Sequence, residues 1–471
     1  MVFTCLGQEL ISIRKRGKTM KMKNIDFKKS KRIMITYAWG FGNIGDAAIT
    51  PGLLNLLYQK FPDYKMTVIT EHEHGIIARY LKGDFPDCEV MRGDAFSNAY
   101  NSAIEKANKE FRGHLPSLDR VNVNYLFETF AQRCIDYIRC SQPKFMDTLL
   151  TTGLMIYNSG MVLVYGKGTV SGTDFWGRTL RRSLPLVIAR KLRIPYGIYA
   201  HSFDSFGEQD KGGQVYFKKI LEDASFVFCR ESDSLNYLKK LKIKPPVIMF
   251  VPDSTFSFKK SDDKWAELFM KKHNLLSRKF MVVIPRTWLG DNVVSDAVGE
   301  KRSKEHQKKL REIIKKWVSR TGMKVLITTE VKNELPNAKH FVYDPLPEDI
   351  KCKCIMMNKF WTSDQAVGLY RHARVLITME LHSFLLAVPQ GIPVIVLTFR
   401  ESGRKIWMLK DFHLEDYMFD IDSASVEEIN QRIYQIHKNY ERISSKIREE
   451  IIPPLRISEE KAMEVIRKVL K

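Results

Sequence analysis

The sequence predicts an α/β protein of two Rossmann-like domains facing each other across a cleft, followed by a helical C-terminal tail. Three observations carry this reading. Short apolar runs, each closed by a polar or glycine turn and usually followed by a helical period, recur along the chain, which is the mark of a parallel sheet with crossover helices. The pattern runs from 33 to 256, gives way to a charged connector at 257–278, and then restarts. At 471 residues the chain is too long for one ordinary core. The expected divisions are a basic tail at 1–32, a first domain at 33–256 with a polar insertion at about 85–155, a second domain at 257–424, and helices at 425–471.

The opening strand, Ile33–Ala38, ends in Gly40, Gly42, Asn43, Gly45 and Asp46, and helical periodicity follows. Glycines allow the chain to turn sharply there, and Asp46 suits the N-cap of the next helix. The turn is ready for an anion or polar ligand, but it is neither the dinucleotide fingerprint nor the P-loop, because the spacing differs and no Lys follows the last glycine.

A helix near 49–61 leads to a strand at 65–70, and His72-Glu-His74 reads as a solvated loop rather than a metal site. Helices are expected near 98–111 and 121–139. Met161–Tyr165 has the composition of a strand buried on both faces and runs into the glycine turn Gly166-Lys-Gly168. The helix over 178–192 sets Leu180, Leu184, Val187 and Ile188 against Arg178, Arg181, Arg182, Arg190 and Lys191. That basic face is a solvated surface or a contact with anionic lipid or phosphate. Strands follow at 195–201, ending in His201-Ser202, at 225–229, ending in Arg230, with Ser234 opening a helix, and at 246–250.

In the second domain, strands are expected at 280–285 (followed by Arg286), 324–329, 375–379 and 393–397. A helix at 303–319 carries Leu310, Ile313, Ile314, Trp317 and Val318 at helical spacing. The tail reads as two helices parted by Pro453-Pro454.

Composition narrows the function. The balance of 76 Lys/Arg against 54 Asp/Glu gives +22, and the first 32 residues alone hold an excess of +8. Such charge attracts nucleic acid, anionic lipid or anionic substrates. No nucleic-acid module is recognisable, so no nucleic-acid partner is expected. Seven scattered cysteines fit a reducing compartment, and Cys352-Lys-Cys354 lacks a second ligand pair nearby. No apolar run is long enough to span a bilayer.

Turns at strand carboxyl ends would assemble a site rich in cations and poor in paired carboxylates, suited to an anionic substrate. His382, followed by Ser383 at a strand-to-helix junction, is placed for acid–base work. At this point the chain resembles the polysaccharide pyruvyl transferases, in five segments taken in order. These are Gly42–Ile49; the strand with Gly166-Lys-Gly168; Tyr199–Phe203; Phe228–Ser234 leading to Val251-Pro-Asp253; and Leu381-His382 with Gly391-Ile-Pro393.

The resemblance implies a fold of the glycosyltransferase-B kind and transfer of a pyruvyl group from phosphoenolpyruvate to a sugar of a polysaccharide or its lipid-linked precursor. It implies no metal or redox cofactor, and a cytoplasmic enzyme, peripheral at the inner face of the membrane. His382 becomes the candidate acid and Arg230 a bidentate ligand of the donor anion. The 42–46 turn, Gly166, Gly168, His201, Ser202, Ser234, Arg286, Ser383 and Lys405 become pocket residues. One departure stands out. The family carries Arg immediately before the Leu-His pair, where this chain has Glu380, so either another cation such as Arg286 takes over or Glu380 orients the imidazole or activates a hydroxyl. The alternative function is a glycosyltransferase with a nucleotide-sugar donor. The sequence leaves the oligomeric state open.

Overall fold

A computed structural model describes residues 30–38, 40–70, 74–111, 123–158, 180–203, 211–287 and 297–471. Two fully parallel sheets organise the chain. The first has seven strands: β1 (Arg32–Ala38), β2 (Lys65–Thr70), β3 (Glu89–Arg92), β4 (Leu154–Tyr157), β5 (Tyr196–His201), β6 (Phe226–Cys229) and β7 (Ile248–Phe250). Their order is β3-β2-β1-β4-β5-β6-β7. The second has six: β8 (Phe280–Ile284), β9 (Lys324–Ile327), β10 (Cys354–Met356), β11 (Val375–Thr378), β12 (Val394–Thr398) and β13 (Met418–Asp420), in the order β10-β9-β8-β11-β12-β13.

The order in which successive strands are added reverses between β1 and β4, and again between β8 and β11. In open α/β sheets those switch points, at the carboxyl ends of the strands, are where ligands bind. The central strands are buried on both faces: Ile33, Ile35, Leu154 and Ile156 belong to one apolar layer, Met34, Met155 and Tyr157 to the other. Period-2 alternation divides the same strand between two cores.

Several expectations need correction. Residues 85–155 are not an insertion over the domain. They supply β3, β4 and three helices (Asp94–Glu110, Val123–Ser141, Pro143–Leu150) whose Phe96, Phe127, Phe130 and Ile138 sit in the main core. Spaced apolar residues on otherwise polar helices concealed this. Nor do the two prolines part the tail into two helices, since its α-helices run Val426–Lys438, Tyr440–Lys446 and Ile452–Leu470. Its last helix, Ile452–Leu470, begins with Pro453 and Pro454 in its first turn, where a missing N–H costs nothing. It crosses back to the first domain, burying Ala462, Met463 and Ile466 beside Leu53 and Leu57. Ser257 and Arg456 both bond the buried Glu459, pinning this crossing to the connector.

The basic helix is also different from its sequence pattern. In Leu180–Leu192, Arg190 is claimed by Glu128 and by Asp223 at 2.7 Å, and Lys191 by Glu128 at 2.9 Å. Arg182 is tucked beside Tyr157 and Tyr37, where burial pulls its pKa down. This face therefore offers few free cations. No helix among the described residues is long and apolar enough to cross a membrane. The described cysteines are all free, and no cluster of metal-ligating side chains occurs among the described residues. The tail 1–29, His72, the expected strand 161–165, the turn with Gly166 and Gly168, and the side chain of Lys405 lie outside what is described.

Candidate active site

The site begins with the glycine-rich turn. The helix that follows it runs Ile44–Lys60, and its N-cap is Asn43 rather than Asp46. The Asn43 Oδ1 accepts from the backbone N–H of Gly45 at 2.7 Å and of Asp46 at 3.2 Å. Asp46 is thus in the first helical turn, a position the helix dipole favours for a carboxylate, and its side chain is released from capping duty.

The turn then docks on the second domain. Ile44 N–H donates to the Glu330 carbonyl at 3.0 Å, and Lys332 N–H donates to the Gly42 carbonyl at 2.8 Å. Asn43 and Val331 form an antiparallel bridge, and Ser363 Oγ donates to the Ile44 carbonyl at 2.5 Å. Gly45 is a glycine because of this approach. A Cβ there would lie 2.0 Å from the Cβ of His382.

His382 is the second residue of the helix Leu381–Ala387, which starts straight from β11. It is buried, and its Nδ1 lies 3.1 Å from Glu330 Oε1. Its Nε2 faces Asp46 Oδ1 across 3.9 Å. Glu330 follows β9, is 1 % exposed, and also accepts from the N–H of Ser383 at 2.6 Å and from its Oγ at 2.7 Å. Burial alone would lower the imidazole pKa. The hydrogen bond and charge of Glu330, with Asp46 and Asp253 behind it, outweigh that and hold it above its ordinary value. Glu330 is opposed in the same way: burial raises its pKa, and His382 and Ser383 bring it below the usual carboxylate range. Both shifts favour the charged forms, an imidazolium beside a carboxylate, and the second ring nitrogen faces Asp46.

One of the two alternatives left open by the sequence has Glu380 orienting the His382 imidazole. The structure corrects this. Glu380 sits just before the helix in extended backbone and pairs with Arg286, the residue at the end of β8. Arg286 also lies 3.6 Å from Glu334 through its Nε. The β8–β11 switch point is therefore closed by an Arg–Glu pair, and its charges cancel locally. Glu330 was missed because it lies 52 residues away in sequence, in a segment with no motif of its own.

Arg230 is also placed otherwise than expected. It is 2 % exposed; its Nη1 donates to Asp253 Oδ2 at 2.7 Å and its Nε to Ser202 Oγ at 2.6 Å. Ser202 Oγ in turn donates to Glu231 Oε2 at 2.8 Å; Ser234 bonds Glu231 as well and accepts from Phe203 N–H at 2.8 Å. Desolvation lifts Glu231 to about 6 despite Arg230. These side chains, with His201 packed edge-on to Tyr157 at 5.5 Å, form a buried scaffold beneath the cleft rather than an open pocket wall. Asn158, at the end of β4, ties in through Ser254 at 3.1 Å.

Around the imidazole, then, the described carboxylates Asp46, Glu231, Asp253, Glu330, Glu334 and Glu380 outnumber Arg230, Arg286 and His382. The expectation of a cation-rich, carboxylate-poor site does not hold among the described residues. Apolar strands end in turns whose acids satisfy backbone and side-chain donors, which spacing alone does not reveal.

Two parallel sheets with their switch points turned to a shared cleft define the architecture of the glycosyltransferase-B enzymes. It is shared with a glycosyltransferase from Rickettsia africae (11 % identity, 93 % of this chain and 98 % of that one, TM-score 0.52). It is likewise shared with a UDP-GlcNAc 2-epimerase from Neisseria meningitidis solved with UDP-GlcNAc (12 %, 93 % and 99 %, TM-score 0.51). An Anabaena protein solved with UDP and glucose is similar to the same degree (10 %, 93 % and 99 %, TM-score 0.51). Identities this low establish the fold alone. No curated protein matches the sequence. Family membership comes from the sequence itself, since residues 43–400 match the model of the polysaccharide pyruvyl transferase family. The chain belongs to that family, and it is a transferase.

Proposed function

We propose that the protein transfers the pyruvyl carbons of phosphoenolpyruvate to two hydroxyls of a glycan, forming a cyclic ketal and releasing inorganic phosphate. The observation that carries this reading is His382 held between Glu330 and Asp46 at the domain junction. The reaction begins with proton delivery to the methylene carbon of the enol ester, and an imidazole whose pKa is held above its ordinary value by Glu330 and Asp46 suits that step.

Oxocarbenium character then develops at the neighbouring carbon, and a sugar hydroxyl adds to it, giving its proton to Asp46. Loss of phosphate regenerates an electrophilic carbon. The second hydroxyl closes the ring, and its proton leaves with phosphate. The carboxylates lining the cleft suit the cationic character of both intermediates.

For the donor's own negative charge we assign Arg286, which would exchange Glu380 for the incoming anion, with Lys405 in the turn after β12 as a second cation. Gly166 and Gly168, by family resemblance, belong to the same pocket. No metal or redox cofactor enters this scheme. The acceptor is read as a polysaccharide or its lipid-linked precursor, met at the cytoplasmic face of a membrane.

The test is phosphate release from phosphoenolpyruvate in the presence of a panel of glycans, with mass spectrometry of the products. A gain of the carboxyethylidene mass on a glycan supports the reading. Glycosyl transfer from a nucleotide sugar, with no phosphate released from phosphoenolpyruvate, would replace it with the glycosyltransferase reading.

A further inference from the structure

Whereas Arg190 and Lys191 of the helix Leu180–Leu192 are paired, the helix Asp263–Lys272 and the turn after it present a different surface. Leu268 and Leu276 stand 60 % and 61 % exposed there, two of the most exposed large apolar side chains among the described residues. Lys264, Leu268, Lys271 and Lys272 fall on one outward helical face. The opposite face is fixed: Ala266 packs so closely on Gly368 that a Cβ at 368 would meet it at 3.1 Å.

Between the two faces runs a ladder of half-buried rings. Trp265 stacks on Phe269 at 5.1 Å, and Phe269 meets His273 at 4.4 Å. Lys264, Lys271, Lys272 and Lys279 are exposed, and none forms an ion pair with a described carboxylate. Of the acids on this helix, Asp263 is held by Arg371 at 3.1 Å, leaving Glu267 among the lysines.

An uncovered leucine on the helix and another in the turn after it, half-buried rings beneath them and lysines without ion pairs beside them are the features of an element lying in the plane of a bilayer. Lysines select anionic headgroups. We propose that this face docks on an anionic lipid surface.

Its position suits the proposed acceptor. The start of the helix adjoins the domain junction, with Asp262 N–H bonded to the Asp364 carbonyl at 3.0 Å and Lys260 over the Tyr80 ring at 4.4 Å. Tyr80 in turn meets Phe41 of the glycine-rich turn, ring to ring, at 4.9 Å. The inference is independent of the donor chemistry.

The experiment is co-sedimentation of the full chain with vesicles of phosphatidylcholine alone and with phosphatidylserine added. Wild type should pellet with the anionic vesicles only, and less at high salt. Leu268→Ser/Leu276→Ser and, separately, Lys264→Gln/Lys271→Gln/Lys272→Gln should each weaken binding at least about tenfold. Because the substituted side chains are exposed, Tm should not move. Wild-type binding by both variants, as the basic tail alone would give, overturns the proposal. So does failure of the wild type to bind anionic vesicles, whether or not it binds an acidic polypeptide instead.

Discussion

Nδ1 of His382 lies 3.1 Å from Oε1 of Glu330, and the two residues come from different crossover units of the second sheet, 52 positions apart. The carboxylate fixes the imidazole's orientation and its charge together. It also holds the start of the His382 helix through Ser383 and, by its carbonyl, the first domain's glycine-rich turn.

The first prediction concerns Glu330→Gln. The amide can still accept from Ser383 but carries no charge to support the imidazolium. The alkaline limb of kcat/KM should move to lower pH, and the rate in mildly alkaline buffer should fall most. The sign follows from the two shifts. His382 is raised, so its share of the pair's stability is full below the ordinary histidine pKa and is lost as pH rises through the raised value. Glu330 is lowered, so its share is full above the ordinary carboxylate pKa and is lost as pH falls through the lowered value. A pH–rate profile unchanged from wild type would remove Glu330 from this role.

His382→Ala should lower kcat by about 10²–10⁴-fold, the usual contribution of a positioned general acid. It should also lower stability, because Glu330 is left buried and unpaired, a loss of about 3–5 kcal/mol. The double variant His382→Ala/Glu330→Gln should recover much of the Tm and none of the activity. Comparing the two by calorimetry and phosphate release separates chemistry from folding.

Glu380→Gln should remove one carboxylate partner from Arg286 and lower KM for phosphoenolpyruvate several-fold, with little effect on kcat. Glu380→Arg sets two guanidinium groups side by side, which costs stability in the free enzyme and gains affinity only once an anionic donor bridges them. Steady-state kinetics against donor concentration decide this. A rise in KM for Glu380→Gln would mean that Glu380 has a direct part in the reaction.

Gly45→Ala is a steric probe of the domain junction. A Cβ 2.0 Å from that of His382 must push the two domains or the imidazole apart. We expect a loss of about 1–3 kcal/mol, as for overpacking of a tight core, together with a kcat loss out of proportion to the lowered Tm. Alanine at the neighbouring Gly42, where a Cβ meets nothing within 4 Å, is the control and should be close to neutral.

Arg230→Met tests the scaffold beneath the cleft. Removing the guanidinium strands Asp253, itself 1 % exposed, and should cost about 3–5 kcal/mol. If Arg230 is a buried structural cation, Tm falls and KM for the donor in the remaining folded enzyme changes little. A large KM effect at unchanged Tm would return Arg230 to the donor pocket.

The sequence by itself determined the two-sheet architecture and the family. Both rest on local signals: apolar runs such as Lys65–Thr70 and Phe280–Ile284, and turns such as Gly42–Asp46 and Leu381-His382, are legible because each is contiguous in the chain. Strands β3, β4, β10 and β13 escaped notice, being three or four residues long with no clean alternation. Which side chains meet was decided only in the tertiary structure. Asn43 rather than Asp46 caps the helix and Asp46 faces His382, Glu380 is taken by Arg286, Arg230 is buried on Asp253, and Glu330 reaches His382. Parallel sheets bring distant strand ends to one edge, so the partner of each charge is set by strand order and helix docking rather than by position along the chain.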